Sequence, residues 1–277
     1  MKILYLTLED LSLHKGSVVH IQNVVSGLRK RGHRVGLIGR ASTGRQGVDF
    51  CNIHHMGFSI QFIGFQILSY LLSSVLLFVQ LLKVLPQYDV IYARDYHTVL
   101  IAHLPRMIFK KRLIFEINGL ANEEQQLKGN SPLRRLLSFL VRRSEGAAAR
   151  RADRIVSVTV QIADYLTHHF LCESDKIKVI HNGVDTKAFY PVQDSGVLAE
   201  MREDLGIGEK ETVIVFVGNM APWQGLEYLI QLAPDLAQEL KDFKIMLVGD
   251  GVLRKSIEAE INAKSGFIFS FSLSANR

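Results

Sequence analysis

The sequence predicts an α/β fold with two parallel-sheet domains, and three observations support this. Short apolar runs alternate with longer amphipathic segments, as in strand–helix–strand units. The alternation stops at the polar stretch Val179–Pro191 and then starts again. The 277 residues suit two domains of ordinary size. We therefore predict an amino-terminal domain at 1–185 and a carboxy-terminal domain at 186–277.

The stretch Val179–Pro191 is predicted to be the hinge between these domains, with Asn182, Gly183 and Asp185 at its turn. Asn182-Gly183 favours a tight turn because glycine adopts positive φ without penalty. Asp185 can accept a hydrogen bond from its own backbone a few residues on. The large side chains of Phe189 and Tyr190 are expected to be buried by a neighbour.

Composition narrows the classes of partner. The 48% hydrophobic content allows a substantial core. A net charge of +6 favours phosphates, an anionic membrane surface or nucleic acid. Cys51 and Cys172 lie far apart in no metal-ligand spacing, which indicates free thiols in a reducing compartment. The apolar start is short and ends in Glu9-Asp10, so it is not a signal peptide. We predict a cytoplasmic protein.

The first strand–helix–strand unit contains a candidate anion site. Lys2–Thr7 reads as a buried strand, Val18–Leu28 as a helix and Val35–Ile38 as the next strand. Gly16 and Ser17 lie where the first strand's carboxyl end meets the helix N-terminus, whose free N–H groups favour anions such as a diphosphate. An ordinary strand–helix turn is the alternative, since a lone Gly-Ser pair is a weak signal.

The segment Phe58–Leu85 is ambiguous. Ile60–Val79 contains no charged residue and reaches the length of about 20 residues that a bilayer requires. However, it carries several glutamines and serines and is followed directly by another predicted strand, Tyr88–Tyr92. A membrane span would separate the strands of one sheet. We therefore predict a long helix packed on the sheet, whose only membrane contact would be peripheral.

Polar residues follow two predicted strands. Arg94 and Asp95 come after Tyr88–Tyr92, while Asn118 and Gly119 come after Arg112–Ile117. The carboxyl ends of parallel strands are where α/β folds bind ligands. A helix cap is the alternative role for Asp95. The titratable groups best placed for chemistry are His97 and Glu116, with a purely structural role as the alternative for each.

A helix predicted to open at Ser131-Pro132 has an apolar and a basic face. The apolar face carries Leu133, Leu136, Leu137, Leu140 and Val141, and the basic face carries Arg134, Arg135, Arg142, Arg143 and Arg150. The basic face is either simply solvated or contacts anionic lipid. Aromatic residues are not interleaved as in single-stranded nucleic-acid sites, so we predict no nucleic-acid partner.

Glycines mark two strand–helix junctions of the second half. The strand Thr212–Val217 is followed by Gly218–Gly225, and the strand Lys244–Val248 by Gly249-Asp250-Gly251. Glycine lets the backbone approach a ligand closely, and two such turns are a stronger signal than one.

Three motifs in order carry a resemblance to a known family. V-I-H-N-G-V-D-T-K-A-F-Y-P, F-V-G-N-M-A-P-W-Q-G-L-E-Y-L-I and L-V-G-D-G-V-L-R resemble retaining glycosyltransferases of family 4, which have the GT-B fold. The resemblance extends to about Glu260. It implies two Rossmann-like domains across a cleft, the first for the acceptor and the second for a nucleotide-sugar donor. The fold class expected is thus α/β with two Rossmann-like parallel-sheet domains of GT-B type, the second incomplete.

The resemblance also implies a reaction. It is hexosyl transfer from a UDP- or GDP-linked sugar to a glycan or lipid-linked acceptor, as in polysaccharide biosynthesis, with retention and with neither a metal nor another cofactor. The expected localisation is cytoplasmic, with peripheral association at the inner face of the cell membrane.

The resemblance assigns site residues by motif but identifies no catalytic residue. For the donor and its diphosphate, the matching positions are Gly16, Ser17, Gly218, Asn219, Gln224, Gly225, Gly249, Asp250 and Gly251. The acceptor-side cleft is assigned Arg94, Asp95, Asn118 and Gly119. The family commonly has Arg and Lys where Asn219 and Gln224 stand, and often His where Asn118 stands, so charge neutralisation at the diphosphate is expected to be weaker.

The tail departs further from the family. After Ile261 the family continues through more strands and helices, including paired glutamates eight apart that bind the donor sugar and ribose. This sequence instead ends K-S-G-F-I-F-S-F-S-L-S-A-N-R, in which Ile268-Phe269 could form one more strand. We expect a truncation or frameshift that impairs activity. The alternative function is a non-catalytic remnant or binding module that retains the acceptor-side domain.

Overall fold

The computed structural model describes residues 1–11, 16–40, 66–121, 123, 131–240, 242–263 and 269–272. The chain divides into two compact units, Met1–Gly183 and Val184–Arg277. Their boundary falls inside the stretch Val179–Pro191.

The first unit is built on a six-stranded parallel sheet with strand order β2-β1-β3-β4-β5-β6. The strands are β1 Lys2–Asp10, β2 Arg34–Arg40, β3 Val90–Ala93, β4 Arg112–Ile117, β5 Arg154–Ser157 and β6 Ile177–Val179. The helices are α1 Gly16–Lys30, α2 Gln66–Val84, α3 Tyr96–Ile108, α4 Pro132–Arg151 and α5 Val160–Phe170, with short 3-10 turns at Leu85–Gln87 and Ser174–Lys176. All strand pairs are parallel because each connection with described residues is a helical crossover.

The helix α2 packs on the sheet, as predicted. Leu77 and Leu81 are fully buried and share one apolar cluster with Leu4 and Ile91 of the sheet. Among the described residues, no helix combines the length and apolar character that crossing a membrane would need. The first part of the segment predicted as this helix, residues 58–65, lies outside the described residues.

The helix α1 contributes to a second apolar cluster. Ile21 and Val25 pack there with Tyr5 and Leu37. The helix ends at Lys30 and is followed by Gly32, which has φ +81°, while the N–H of His33 donates to the carbonyl of Leu28 at 3.1 Å. A glycine with positive φ just after the last turn is a common way for a helix to end.

The second unit contains a three-stranded parallel sheet with strand order β7-β8-β9 in its described residues. The strands are β7 Thr212–Val217, β8 Phe243–Val248 and β9 Phe269–Ser272. The helices are α6 Ser195–Asp204, α7 Leu226–Glu239 and α8 Arg254–Ala263, with a 3-10 turn at Pro222–Gln224. A compact core joins α7 and α8 to one face of the sheet through residues such as Leu226, Ile230, Leu247 and Ile257.

The hinge stretch corrects two expectations. Gly183 does not adopt positive φ, and Phe189 and Tyr190 are 72% and 67% exposed rather than buried. The turn lies after Asp185 rather than at Asn182-Gly183, and the Oδ1 of Asp185 accepts from the N–H of Lys187 at 2.9 Å, as predicted for this residue. Its carbonyl also accepts from the N–H of Phe189 at 2.9 Å. A turn closed by these hydrogen bonds requires neither a left-handed glycine nor aromatic burial.

Candidate functional site

Arg94 and Asp95 lie at the carboxyl edge of the six-stranded sheet, where the turn after β3 is tied to β1. The N–H of Arg94 donates to the carbonyl of Leu6 at 3.0 Å. The Asp95 carboxylate accepts from the N–H of Thr98 at 2.9 Å and from the N–H of Leu8 at 3.2 Å. Asp95 is thus the N-cap of α3, as its alternative interpretation predicted, and it also holds the end of β1.

The Arg94 side chain supplies a largely buried positive charge at this edge. Its Nη1 lies 3.4 Å from Oε1 of Glu9, and the two side chains are 13% and 33% exposed. In the part of the chain that the structure describes, Arg94 Nε is buried without a hydrogen-bond partner. A guanidinium has five N–H donors in a fixed plane, so Arg94 retains donors for a ligand.

A buried polar network centres on Glu116, near the carboxyl end of β4. Its carboxylate accepts from the hydroxyl of Tyr5 at 3.1 Å and from Nδ2 of Asn118 at 3.0 Å, and it contacts His20 Nε2 closely. The ring of Tyr92 stacks on Tyr5 with centroids 5.2 Å apart. The network joins β1, β3 and β4 to α1 next to the residues proposed for the site.

The protonation of this network follows from its hydrogen bonds. Burial acts to raise the pKa of Glu116, but the hydrogen bond and charge of His20, with the bonds from Asn118 and Tyr5, outweigh it and lower the pKa. Burial, and then the neighbouring carboxylate, raise the pKa values of Tyr5 and Tyr92. At neutral pH the network therefore holds one carboxylate and two neutral phenols.

His97 is the other titratable group predicted for chemistry. Burial lowers its pKa to about 4, so the imidazole is neutral at pH 7. Its Nδ1 lies 3.8 Å from Oδ1 of Asp95, and its ring lies against that of Tyr96, with centroids 3.7 Å apart. A neutral imidazole can donate or accept a hydrogen bond here but adds no charge.

Asn118 and Gly119 lie between two buried carboxylates. Asn118 is held by Glu116, and the chain just after Gly119 is held by Glu145 of α4, whose Oε1 accepts from the N–H of Ala121 at 2.7 Å. Both carboxylates are about 1% exposed. The structure thus brings all four predicted acceptor-side residues to one sheet edge, where Asn118 is anchored by Glu116.

In the second unit the two glycine turns form one interlocked pair of loops. The N–H of Gly218 donates to the carbonyl of Val248 at 2.9 Å, and the N–H of Met220 donates to the carbonyl of Asp250 at 2.8 Å. In return, the N–H of Leu253 donates to the carbonyl of Met220 at 3.0 Å. The predicted residues from both turns therefore lie side by side at the carboxyl ends of β7 and β8.

The close approach of these loops requires glycine at two positions. Gly249 has φ +141°, and a Cβ there would lie 1.9 Å from the carbonyl oxygen of Gly218. Gly251 has φ +158°, and its Cβ would lie 2.5 Å from the carbonyl oxygen of Met220. Their conformation and their contacts both exclude side chains.

The start of α7 completes this loop surface. Its N-cap, Gly225, has φ +70° and offers no side-chain cap, so the first-turn N–H groups favour an anion. Asn219 and Gln224 are exposed beside it. Arg254, three residues after Gly251, has its Nε 2.8 Å from Oε1 of Glu258 and its Nη1 4.0 Å from Oδ1 of Asp250. The loop residues therefore offer hydrogen bonds but no positive charge of their own.

The remaining predicted diphosphate residues, Gly16 and Ser17, form the start of α1. Within the described residues, no group of three or more His, Cys, Asp or Glu side chains is arranged to hold a metal ion.

Sequence reasoning missed three members of the polar network, namely Tyr5, His20 and Tyr92. A weak signal was available for His20, which follows Gly16 by four residues and so lies one turn into α1 on the same face. Its pairing with Glu116 depends on β4 and α1 lying close together, which the local sequence does not show.

Comparison with protein families gives two consecutive matches. The family model described as Glycosyltransferase Family 4 matches residues 14–188. The model described as Glycosyl transferases group 1 matches residues 198–269.

Among curated relatives, a D-inositol 3-phosphate glycosyltransferase of Segniliparus rotundus is 30% identical over 119 residues. The match covers 43% of this chain and 24% of that protein. An uncharacterized glycosyltransferase of Methanocaldococcus jannaschii is 24% identical over 180 residues, covering 62% of this chain and 43% of the relative. The matches thus span less than half of either curated relative's length.

Solved structures show the same fold. Sucrose-phosphate synthase from Thermosynechococcus elongatus matches with a TM-score of 0.74 at 17% identity, over 98% of this chain and 70% of that one. Anabaena HepE in complex with UDP matches with a TM-score of 0.69 at 17% identity, over 98% and 69%. These likenesses confirm the predicted α/β fold class with parallel sheets of GT-B type. Since one family model matches well over half of the sequence, the chain belongs to Glycosyltransferase Family 4.

Proposed function

We propose that this chain is a hexosyltransferase-type glycosyltransferase that uses a UDP- or GDP-linked sugar and transfers it with retention to a glycan or lipid-linked acceptor. The observation that carries the proposal is the interlocked pair of glycine loops at the carboxyl ends of β7 and β8. Anabaena HepE, of similar fold, has been solved with UDP and with UDP-glucose, which supports a nucleotide-sugar as the donor. The second unit would bind the donor and the first unit the acceptor.

Charge on the leaving diphosphate is the main demand of this reaction. The first-turn N–H groups of α7 and the side chains of Asn219 and Gln224 would supply hydrogen bonds to it. Because neither side chain is charged, these bonds are weaker than those of an arginine or lysine would be. Gly16 and Ser17 stay a prediction from the family resemblance, and the proposal requires no metal or cofactor.

The acceptor would bind at the carboxyl edge of the six-stranded sheet. Asn118 donates its amide to Glu116, which leaves its carbonyl oxygen to accept from an acceptor hydroxyl. Arg94 would donate to an acceptor oxygen through its remaining N–H groups. Asp95 and Glu116 are already engaged in hydrogen bonds, so we assign both to positioning rather than to contact with substrate.

Thermal unfolding in the presence of a panel of nucleotide-sugars tests the donor. We expect UDP- or GDP-linked hexoses to raise the melting temperature, because a ligand that binds only the folded state stabilises it. Sugar 1-phosphates without the nucleotide serve as the control and are expected to have little effect. A flat response to every nucleotide-sugar would contradict the proposal.

The alternative function is a binding module without turnover. Incubating the chain with a nucleotide-sugar that binds to it, and measuring the nucleoside diphosphate released, separates the two functions. Binding with measurable release of nucleoside diphosphate would favour the enzyme. Binding without release would favour the module.

We also propose peripheral contact with an anionic membrane, at the inner face of the cell membrane, through the first turns of α4. This helix has 20 residues, about 30 Å, whereas β4 has six, about 20 Å. Because α4 leads directly into β5, its first turns extend about 10 Å past the carboxyl edge of the sheet. They would place a membrane next to the proposed acceptor site.

The exposure of these turns supports lipid contact. Ser138 is the first buried residue of α4. Around it, five large apolar side chains are exposed, namely Leu133, Leu136, Leu137, Phe139 and Leu140. Arg142 and Arg143 are exposed on the same helix, and the Arg143 guanidinium lies over the Phe139 ring at 5.7 Å. Apolar side chains flanked by arginines suit an anionic bilayer surface.

Replacing Arg142 and Arg143 by glutamine is expected to weaken binding to phosphatidylglycerol vesicles at low salt. With about 1 kcal/mol for each basic residue near the surface, the loss should be roughly thirtyfold. Vesicle co-sedimentation measures it. The matched control replaces Lys110, which is exposed, and Lys111, which is partly exposed, at the opposite edge by glutamine. Equal losses in both variants, or no binding by the unchanged chain, would count against this surface.

A further inference from the structure

We propose a second ligand site, for the phosphate group of a small phosphorylated molecule, in an open cleft at the amino-terminal edge of the six-stranded sheet. The cleft has a volume of about 550 Å³. It is lined by the ends of α3 and α4, the start of β5 and the residues that lead into β6. It lies at the opposite edge of the sheet from the proposed acceptor residues and does not depend on the proposed function.

The lining is strongly basic. Five cations face two carboxylates, which leaves a net charge of +3. The cations are Arg106, Arg150, Arg151, Arg154 and Lys176, and the carboxylates are Asp153 and Glu173. Concentrated positive charge in a concave site attracts anions, and arginine binds phosphate oxygens in a planar, two-pronged geometry.

One arginine is fixed in place within the lining. Arg106 Nη1 lies 2.6 Å from Oδ2 of Asp153, and its Nη2 donates to the carbonyl of Arg151 at 2.9 Å. The same Asp153 oxygen accepts from the N–H of Leu113 at 2.7 Å. These bonds anchor the cleft to the sheet, so its shape exists before any ligand binds.

Two buried atoms of the lining are left without partners. Among the described residues, Arg106 Nε and His103 Nδ1 are buried and have no hydrogen-bond partner. Nearly all buried polar atoms in proteins are paired, because an unpaired one loses its hydration without compensation. Both atoms are out of reach of solvent, so they mark the Arg106 and His103 side chains as incompletely satisfied, and the direct contacts to an anion come from the exposed cations of the lining.

Hydrogen bonds to the carboxyl end of α4 account for only part of the positive charge in the cleft. Arg106 donates to the carbonyl of Arg151, and Lys176 Nζ donates to the carbonyl of Arg150 at 2.8 Å, so these two cations satisfy the carboxyl end of α4. The side chains of Arg151 and Arg154 are exposed, and their hydrogen bonds to nearby carbonyls use one N–H each. They supply charge and donors beyond what the helix end requires.

Isothermal titration with inorganic pyrophosphate in low-chloride buffer tests the site. Replacing Arg151 and Arg154 by glutamine is expected to weaken binding at least about tenfold, since both are exposed and their loss should not unfold the chain. The matched control, Arg142→Gln with Arg143→Gln, removes the same charge from the other end of α4 and should change affinity less than about twofold.

Amide shifts in the unchanged chain locate the bound anion. We expect the largest shifts at Arg151–Arg154 and Lys176. Saturation by soluble pyrophosphate identifies a free phosphorylated ligand. Saturation only by phosphatidylglycerol vesicles, lost in the Arg151/Arg154 variant, identifies a lipid headgroup. Equal losses of pyrophosphate affinity in both variants, shifts confined to Gly218–Gly225, or no saturable binding of either probe would overturn the proposal.

Discussion

Replacing Gly249 by alanine is expected to destabilise the carboxy-terminal unit by at least about 3 kcal/mol. The new Cβ would lie 1.9 Å from the backbone carbonyl oxygen of Gly218, and no flexible side chain is available there to move aside. The residue also has φ +141°, which disfavours any side chain. The interlocked loops would have to separate, and the surface proposed to bind the nucleotide would be lost with them.

Hydrogen exchange measures this effect separately in each unit. In Gly249→Ala, protection at β7 and β8 should fall by roughly two orders of magnitude, while β1 and β4 stay unchanged. The matched control is Gly206→Ala. Gly206 has φ +62°, but a Cβ there would meet nothing nearer than the Lys244 ammonium at 3.9 Å. We therefore expect Gly206→Ala to destabilise the unit by only about 1 kcal/mol. Similar losses in both variants would show that the backbone contact between the loops is unimportant.

Replacing Glu116 by alanine is expected to destabilise the first unit by about 3 kcal/mol at pH 7. The substitution removes the shared acceptor for the Tyr5 hydroxyl, the Asn118 amide and the His20 ring. The Tyr5 hydroxyl would be left unpaired where no water enters, because Tyr5 is fully buried, and the partly buried Asn118 and His20 would lose their shared acceptor. Urea unfolding followed by hydrogen exchange at β1 and β4 measures the loss. Asn118 would also lose its anchor, so acceptor binding should weaken.

The effect of Glu116→Ala should depend on pH. The pKa of this carboxyl is below its ordinary value of 4.5 in the folded chain, since the bonds from His20, Asn118 and Tyr5 outweigh burial. A carboxyl whose pKa is lower in the folded chain than in the unfolded chain stabilises the fold at pH values above the unfolded-state pKa. This stabilisation is lost as the pH falls through the folded-state pKa. The contribution of this carboxyl to the difference between the two proteins should thus be fully present above about pH 5 and shrink below about pH 4.

The control for this prediction is Glu9→Ala at the same edge of the sheet. Glu9 is a third exposed and lies 3.4 Å from Arg94, so its loss should cost less than about 1 kcal/mol. Two outcomes would contradict the role assigned to the network. One is an equal cost for both substitutions, and the other is a Glu116 effect that grows as pH falls below about pH 4.

The strand–helix alternation was predicted well because the apolar runs are themselves the buried strands. The predicted bounds of β4 and β7 match the structure residue for residue. The helix α2 was identified correctly once membrane crossing was weighed against the strand that follows it. Local turn details were less predictable. Gly183 and Phe189 were misjudged because turn statistics do not show which backbone groups will close the turn.

The candidate site was predicted only in part. Arg94, Asn118 and the turns at Gly218 and Gly249 were correctly predicted to lie at sheet edges, because each directly follows a predicted strand. The Glu116 network and the basic cleft join residues far apart in sequence, such as Tyr5 with Glu116 and Arg106 with Asp153. Such pairs depend on strand order and helix packing. The interlocking of the two glycine loops likewise follows from the pairing of β7 with β8 rather than from either motif alone.

Titration of the isotope-labelled chain with UDP and with GDP tests most directly the claim that the glycine loops bind the donor nucleotide. We predict saturable amide shifts for at least one nucleotide at Gly218, Gly225, Gly249 and Gly251. The same titration should give no shifts in Gly249→Ala. No saturation by either nucleotide up to about 10 mM, or shifts confined to residues outside these loops, would contradict the account.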